Sequence, residues 1–319
     1  MTEISIVVGT YNRFDLLKKC VDSVVRETKR PFHLYVTDAG SSDGTIEYLK
    51  SIESDVIRPV FVGKKIGQAR AYNDVFKNIT TPFVCWLSDD NEVVNAGLDI
   101  AASVLSKDDR IGMVALKVRD IQGPFIDAPY IGGVSSLGIL NVNQGMLPTP
   151  VLKKAGYFSE GFRDYGIDPD LTAKVLMCGY DIAYTRHVAI HHYRLWEMDK
   201  TRDAYWDLRK RQECSVALYE AKYGSVLRLG PMSAGRKAVW YVIRKLLGKR
   251  YNINGRNRFF GLLPRDWHNI VSSRFVSLLD PVRSRGKPYH LRQYSPLWLQ
   301  MMDLPTDHVV DRKTSLDIS

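Results

Sequence analysis

The sequence predicts an α/β fold, a single domain with a mostly parallel central sheet flanked by helices, followed by a basic, mainly helical C-terminal extension. Three observations predict it. Strand-like and helix-like segments alternate over the first 90 residues, the pattern of a parallel sheet with crossover helices. Residues Pro82 to Ser88 form an unbroken apolar or small run, as expected of a strand covered on both faces. The net charge of +10 is also unevenly spread: residues 222–300 hold 16 Lys+Arg against 2 Asp+Glu, whereas residues 1–221 hold 27 against 29. That asymmetry divides the chain into a main domain, 1–221, and an extension, 222–319.

The elements follow in order. Ile4-Ser5-Ile6-Val7-Val8 is a β-branched strand ending at Gly9-Thr10-Tyr11-Asn12. Asn12 can cap the next helix, whose apolar positions Leu17, Cys20, Val21, Val24 and Val25 recur at helical spacing. Phe32 to Thr37 is the second strand and runs into a polar turn, Asp38 to Thr45, then a helix through Ile46, Leu49 and Ile52. A third strand, Val56 to Val62, leads through Gly63 to Gly67 into a helix from about Gln68 to Lys77, and the strand ending at Asp89-Asp90 is fourth. Beyond it the pattern gives a helix (Ala96–Leu105), a strand (Ile111–Val118), a Gly/Pro-rich stretch (Gln122–Pro150) and a helix from Pro169 to Cys178.

Composition excludes several classes. An apolar share of 45% with 25% charged residues is that of a folded globular chain, not a disordered one. The cysteines Cys20, Cys85, Cys178 and Cys214 form no Cys-x-x-Cys pair, which argues against a zinc site and for a reducing, cytoplasmic setting. Met1 to Ser5 enters a strand without the basic and apolar regions of a signal peptide. No stretch approaches the roughly 20 apolar residues of a spanning helix. The best candidate, Ala238 to Ile243, is short and flanked by Arg236, Lys237, Arg244 and Lys245.

Three polar clusters end three strands: Thr10-Tyr11-Asn12, Asp38-Ala39-Gly40-Ser41 and Asp89-Asp90-Asn91. Parallel neighbouring strands bring such ends to one rim, where open α/β sheets bind ligands. Adjacent carboxylates repel unless a cation or proton sits between them. A hard divalent ion, its shell completed by substrate phosphates, is the economical explanation. Tyr11 can stack a base, Asp38 can accept hydrogen bonds from a base or ribose, and Arg70 can reach a phosphate. Singly, Asp38 to Gly40 reads as a turn and Arg70 as a solvated helix charge. Their order along alternating strands favours a site.

Ile4–Arg13, Asp38–Thr45, Gly67–Asn73 and Leu87–Asn91 resemble the successive motifs of family 2 glycosyltransferases. The resemblance continues at Asn143–Leu147, Ala155–Phe158, Tyr165–Leu171 and Gly179–Ile182, and ends at His191-His192. It implies a GT-A fold and an inverting transferase using a nucleotide-diphosphate sugar and Mg²⁺ or Mn²⁺. It implies nucleoside contacts at Thr10, Tyr11 and Asp38, and a diphosphate or sugar contact at Arg70. Asp90 matches the last acid of the DxD metal motif, with Asp89 on the metal or donor sugar. Asp168 matches the general base, and one of His191 and His192 could complete the metal site. Consecutive strand residues face opposite ways, so at most one of the two would do so. The chain departs from the family pattern at Ser88 (first acid of DxD), Ile167 (Glu before the base), Ala39, and Lys65-Ile66-Gly67.

Asp168-Pro169 is also a good helix start, with Asp168 as N-cap and Pro169 at N1. A base at a helix N-terminus and a cap are compatible, and Asp170 is expected to face the fold. Two further classes compete with the transferase. A sugar nucleotidylyltransferase would show a Gly-rich basic loop after the first strand, which Gly9-Thr10-Tyr11-Asn12-Arg13 matches poorly. A binding protein without catalysis for nucleotide sugars or polyanions is kept open by Ser88 and Ile167. The extension mixes Lys/Arg with Trp240, Tyr241, Phe259, Phe260, Trp267 and Trp298. That composition suits an anionic membrane interface, placing the protein peripherally on the inner face of the cytoplasmic membrane. An oligomer contact or a plain solvated extension is the competing reading, and no nucleic-acid module is recognisable. Expected partners are thus a nucleotide-sugar donor, a glycan or lipid-linked acceptor, and a membrane surface.

Overall fold

The computed structural model describes residues 2–109, 111–124, 130–131, 142–178, 180–185 and 187–227. The basic extension beyond 227, with the aromatic residues and the Arg236–Lys245 set singled out above, lies outside the described residues, as does Gly179.

The first half forms as expected. β1 (Ile4–Thr10), β2 (Phe32–Asp38), β3 (Ile57–Phe61) and β4 (Phe83–Ser88) alternate with α1 (Phe14–Glu27), α2 (Thr45–Ser51) and α3 (Gln68–Phe76). β1 lies between β2 and β4, parallel to both, and β2 pairs parallel with β3. The register sets Thr10 beside Asp38 and Gly9 beside Ser88. The three polar clusters therefore do share one rim.

Alternation along β1 fills two cores. Ile4, Ile6 and Val8 pack with Leu17, Cys20 and Val24 of α1, and with Leu98, Ala101 and Leu105 of α4 (Gly97–Lys107). Val7 points the other way, to Tyr72 and Phe76 of α3, Trp86 and Phe158. Period-two alternation of a doubly covered strand accounts for this division.

The second half departs from the sequence pattern. The strand expected over Ile111–Val118 is two: β6 (Ile111–Leu116) and β7 (Val118–Gln122), which enter different sheets. The Gly/Pro-rich stretch contains β8 (Tyr130–Ile131) and β9 (Gln144–Pro148), the latter antiparallel between β4 and β6. β9 makes the seven-stranded order β10-β6-β9-β4-β1-β2-β3, where β10 is Asp181–Tyr184. A second sheet runs β5-β11-β7-β8, with β5 at Asn91–Val93 and β11 at Ile190–Tyr193. α5 (Thr149–Ala155), a 3-10 turn at Glu160–Phe162, α6 (Ile167–Met177) and α7 (Asp203–Leu227) complete the described chain. α7 passes through the expected domain boundary at 221/222. Among the described residues no helix is long and apolar enough to cross a membrane.

Two local expectations are corrected. Asn12 does not cap α1; at φ 50° its side chain accepts the Ser42 N–H at 2.8 Å. The cap comes instead from the neighbouring loop, where Asp43 Oδ2 accepts the Phe14 N–H at 2.9 Å. Asp168 is not an N-cap either. Gly166, at φ +82°, lets the chain turn into α6 earlier, and the Asp170 N–H already bonds the Gly166 carbonyl at 3.1 Å. Asp168 thus stands in the first helical turn. Asp170 faces the fold as expected, fully buried and accepting Ser159 Oγ–H at 2.6 Å.

Candidate active site

The rim opens into a cleft of about 1330 Å³, bounded by the ends of β1, β2 and β4, the start of α6, residues Arg194 to Trp196 and part of α7. Its floor is braced by Tyr72. The buried Tyr72 hydroxyl accepts the Gly9 N–H at 2.8 Å and donates to the Leu87 carbonyl at 2.5 Å. Gly9 is needed there, because a Cβ would stand 2.7 Å from the Tyr72 ring.

On one side stand Thr10, Tyr11 and Asp38. Asp38 is fully buried. Its Oδ2 accepts the Gly40 and Ser41 N–H groups at 2.8 and 3.0 Å, which fixes the carboxylate. Its Oδ1 is buried with no hydrogen-bond partner among the described residues. A buried unpaired acceptor is costly unless a ligand donor meets it. Tyr11 is 37% exposed and its ring lies under the Lys65 ammonium, 3.6 Å from the centroid.

At the end of β4, Asp89 and Asp90 are both buried, and positive charge lies between them. Arg13 Nη1 donates to Asp89 Oδ1 at 3.0 Å and Asp90 Oδ2 at 3.3 Å. His192 Nε2 is 3.2 Å from Asp90 Oδ1, and its Nδ1 is 2.8 Å from Asp120 Oδ1. Burial pushes the Asp89 carboxyl up, against the opposing pull of Arg13. Burial also works against charge on Asp90, but His192 and Arg13 outweigh it and hold Asp90 below the usual carboxylate range. His192 is in turn raised: burial opposes its charge, and Asp90 and Asp120 overcome it.

Strand pairing explains how residues a hundred positions apart meet. β11 pairs antiparallel with β5, His192 opposite Asn91, and parallel with β7, His192 opposite Asp120. The Tyr193 N–H bonds the Asp90 carbonyl at 2.8 Å. Alternation then sends His191 to the other face, where its Nδ1 is 3.5 Å from Glu92 Oε2.

The donor set fits a divalent cation. Asp90 and His192 Nε2 are adjacent, and Asp120 orients the imidazole from behind, as carboxylates commonly do for metal-bound histidines. Among the described residues no three His, Cys, Asp or Glu side chains are arranged to hold a metal by themselves. Asp90 and His192 would leave most of a divalent ion's shell to substrate phosphates, as is usual where such an ion is held with a phosphorylated substrate.

Asp168, in the first turn of α6, lines the same cleft and is partly buried. Burial pushes its carboxyl up to about 7, against the hydrogen bonds from its own N–H and the Asn143 side chain and the charge of Arg194. A carboxylate poised near neutrality suits a general base.

Of the residues expected from sequence, the cleft gathers Thr10, Tyr11, Asp38, Asp89, Asp90, Asp168 and His192. It does not gather Arg70, which is exposed on α3 outside the lining, or His191. Sequence reasoning gave no role to Arg13, Asp120 or Arg194, or to Tyr165 and Trp196, which also line the cleft. Arg13 follows Thr10-Tyr11-Asn12 directly and could have been read as a counter-charge for Asp89-Asp90.

Residues 5–146, just under half of the chain, match the family model described as Glycosyl transferase family 2. The chain resembles glycosyltransferase family 2. A curated Campylobacter jejuni relative, "GalNAc(5)-diNAcBac-PP-undecaprenol beta-1,3-glucosyltransferase", is 29% identical over 101 residues, 31% of this chain and 33% of its own length. The curated relatives are matched over only 14% to 35% of their lengths. Among solved structures, a Pyrobaculum calidifontis mannosyltransferase, in complex with GDP-Man and Mn²⁺, superposes with TM-score 0.51 at 17% identity, covering 99% of this chain and 88% of that one. S. aureus TarS 1–349 in complex with UDP-GlcNAc gives 0.51 at 14% identity, covering 92% and 90%. The mixed sheet with its flanking helices is accordingly the GT-A fold of these glycosyltransferases.

Proposed function

We propose that this family 2 relative is an inverting glycosyltransferase that moves a sugar from a nucleotide-diphosphate sugar to an acceptor hydroxyl, in assembly of a cell-surface polysaccharide or glycolipid. One observation carries the reading. The ends of three parallel strands and the α6 carboxylate Asp168 line a single cleft. It therefore holds an unpaired buried acceptor (Asp38 Oδ1), a cation-type pair (Asp90 and His192) and a base near neutrality.

The roles follow from that placement. Asp38 Oδ1 accepts an N–H from the nucleobase or an O–H from the ribose, while Thr10 and Tyr11 border the nucleoside. Displacing Lys65 opens the Tyr11 ring to stacking. Asp90 and His192 would hold Mg²⁺ or Mn²⁺, with Asp89 beside it, and the bound ion would neutralise the departing diphosphate. Asp168 takes the proton of the acceptor hydroxyl. The acceptor oxygen bonds to the anomeric carbon as the carbon–oxygen bond to the diphosphate breaks, and the electron pair leaves with the diphosphate. Attack opposite the leaving group inverts the anomeric centre.

The names of the relatives support a glycan or lipid-linked acceptor. The basic, aromatic extension, 222–319, supports action as a peripheral protein at the cytoplasmic face of an anionic membrane. The test is incubation with a panel of UDP-, GDP- and dTDP-sugars in Mn²⁺, with nucleoside diphosphate release as the readout. Release from at least one donor, lost in Asp168→Asn when acceptor is supplied, supports the reading. Release from none overturns it.

A further inference from the structure

The part of the cleft lined by α7 carries arginines that the proposed donor chemistry does not use. Arg209 and Arg211 both line the cleft and are exposed. Neither pairs with a carboxylate among the described residues. Arg209 Nη1 donates to Gln212 Oε1 at 3.3 Å, and Arg211 Nε donates to the Asp207 carbonyl at 3.4 Å. Each guanidinium is held over an aromatic ring instead: Arg209 over Tyr205 at 5.3 Å and Arg211 over Tyr165 at 5.4 Å. The ring attracts the cation without using its N–H groups, and of the five donors on each guanidinium only one is taken by these bonds.

Tyr165 stands three residues before the base Asp168, so this wall adjoins the place where an acceptor hydroxyl must sit. Glu213 also lines the cleft but pairs with neither arginine among the described residues. Two arginines set over aromatic rings, with no carboxylate partner among the described residues, form an anion-recognition surface in the same cleft as Asp168. Guanidinium edges match phosphate and carboxylate oxygens in pairs.

We propose that the acceptor is an anionic carbohydrate or polyol chain, bearing a phosphate or phosphodiester close to the hydroxyl that is glycosylated, and that Arg209 and Arg211 bind that group. This rests on the glycosyltransferase reading. The anion belongs either to a phosphodiester-linked chain or to the diphosphate of a lipid-linked acceptor, and the two sources share the same chemistry at the arginines.

The test is calorimetry on the full chain with three probes: a short polyol-phosphate oligomer, a lipid-diphosphate-linked disaccharide in detergent, and a neutral oligosaccharide of equal length. The expected result is binding of at least one phosphorylated probe and not the neutral one. That binding should weaken as salt rises and fall at least about tenfold in Arg209→Gln/Arg211→Gln. Which phosphorylated probe binds tells the two sources apart. A control variant, Lys50→Gln/Lys153→Gln, removes the same charge from exposed sites outside the cleft and should bind as the wild type does. Binding of UDP or GDP with Mn²⁺, measured on the same proteins, should be unchanged by the arginine substitutions. Equal binding of the neutral probe, no phosphorylated probe bound, retention by the arginine variant, an equal loss in the control, or a matching loss of nucleotide affinity each overturns the proposal. Failure of any nucleotide to bind the wild type counts instead against the glycosyltransferase reading and leaves the anion result standing on its own.

Discussion

Asp168→Asn separates the chemistry of the site from its stability. Burial raises the Asp168 carboxyl from 3.8 to about 7. A group raised on folding contributes stability that is fully present below the unfolded value and is lost as pH rises through the folded value. At about 1.4 kcal/mol per tenfold change, a rise from 3.8 to about 7 corresponds to about 4 kcal/mol lost between pH 4 and pH 8. Asn keeps the shape and cannot ionise. The variant should therefore match the wild type near pH 4 and exceed it by up to about 4 kcal/mol at pH 8, a Tm gap of several degrees that opens with pH. Turnover should fall by at least about 10²-fold while nucleotide affinity is kept. In the wild type, turnover should rise with pH through about 7, because the base acts only when ionised. Thermal unfolding at the two pH values, with nucleoside diphosphate release measured alongside, reads both effects. A stability difference that does not change with pH refutes the burial argument. Unchanged turnover refutes the base.

Asp90→Asn should abolish transfer and weaken Mn²⁺-dependent nucleotide binding while the circular dichroism spectrum is kept; full activity in excess chelator would contradict the metal role. Tyr72→Phe strips a partner from the Gly9 N–H and the Leu87 carbonyl and should cost about 2 kcal/mol, read from denaturant midpoints. An unchanged midpoint would mean that water replaces the hydroxyl. Changing Arg236, Lys237, Arg244 and Lys245 to Glu should release the protein from anionic vesicles in cosedimentation, as high salt should in the wild type; equal binding to neutral vesicles would remove the membrane proposal.

The strand-end part of the cleft was legible in the sequence because its residues follow three strands. Once β1, β2 and β4 are parallel neighbours, Thr10, Asp38 and Asp89-Asp90 must meet. The remaining structure depends on pairings that leave no local period. β9, Gln144-Gly145-Met146-Leu147-Pro148, holds a Gly and a Pro in five residues and becomes a strand only between β4 and β6. His192 could be told from His191 only through the register of β11 against β5 and β7. Arg70 carries the right charge on the right helix, but helical phase leaves it outside the cleft. The arginines of α7 were invisible for a different reason: a charged helix reads as solvated until its facing partner is known.

The central claim is that this cleft takes a nucleotide-diphosphate sugar together with a divalent cation. Its most direct test is calorimetric titration of wild-type protein with UDP-, GDP- and dTDP-sugars, each in Mn²⁺ and again in chelator. The account predicts that at least one donor binds, that chelator weakens it, and that Asp38→Ala and Asp90→Asn each weaken it further than the exposed-site control does. No binding of any nucleotide sugar in Mn²⁺, or binding that ignores both aspartates, would contradict it.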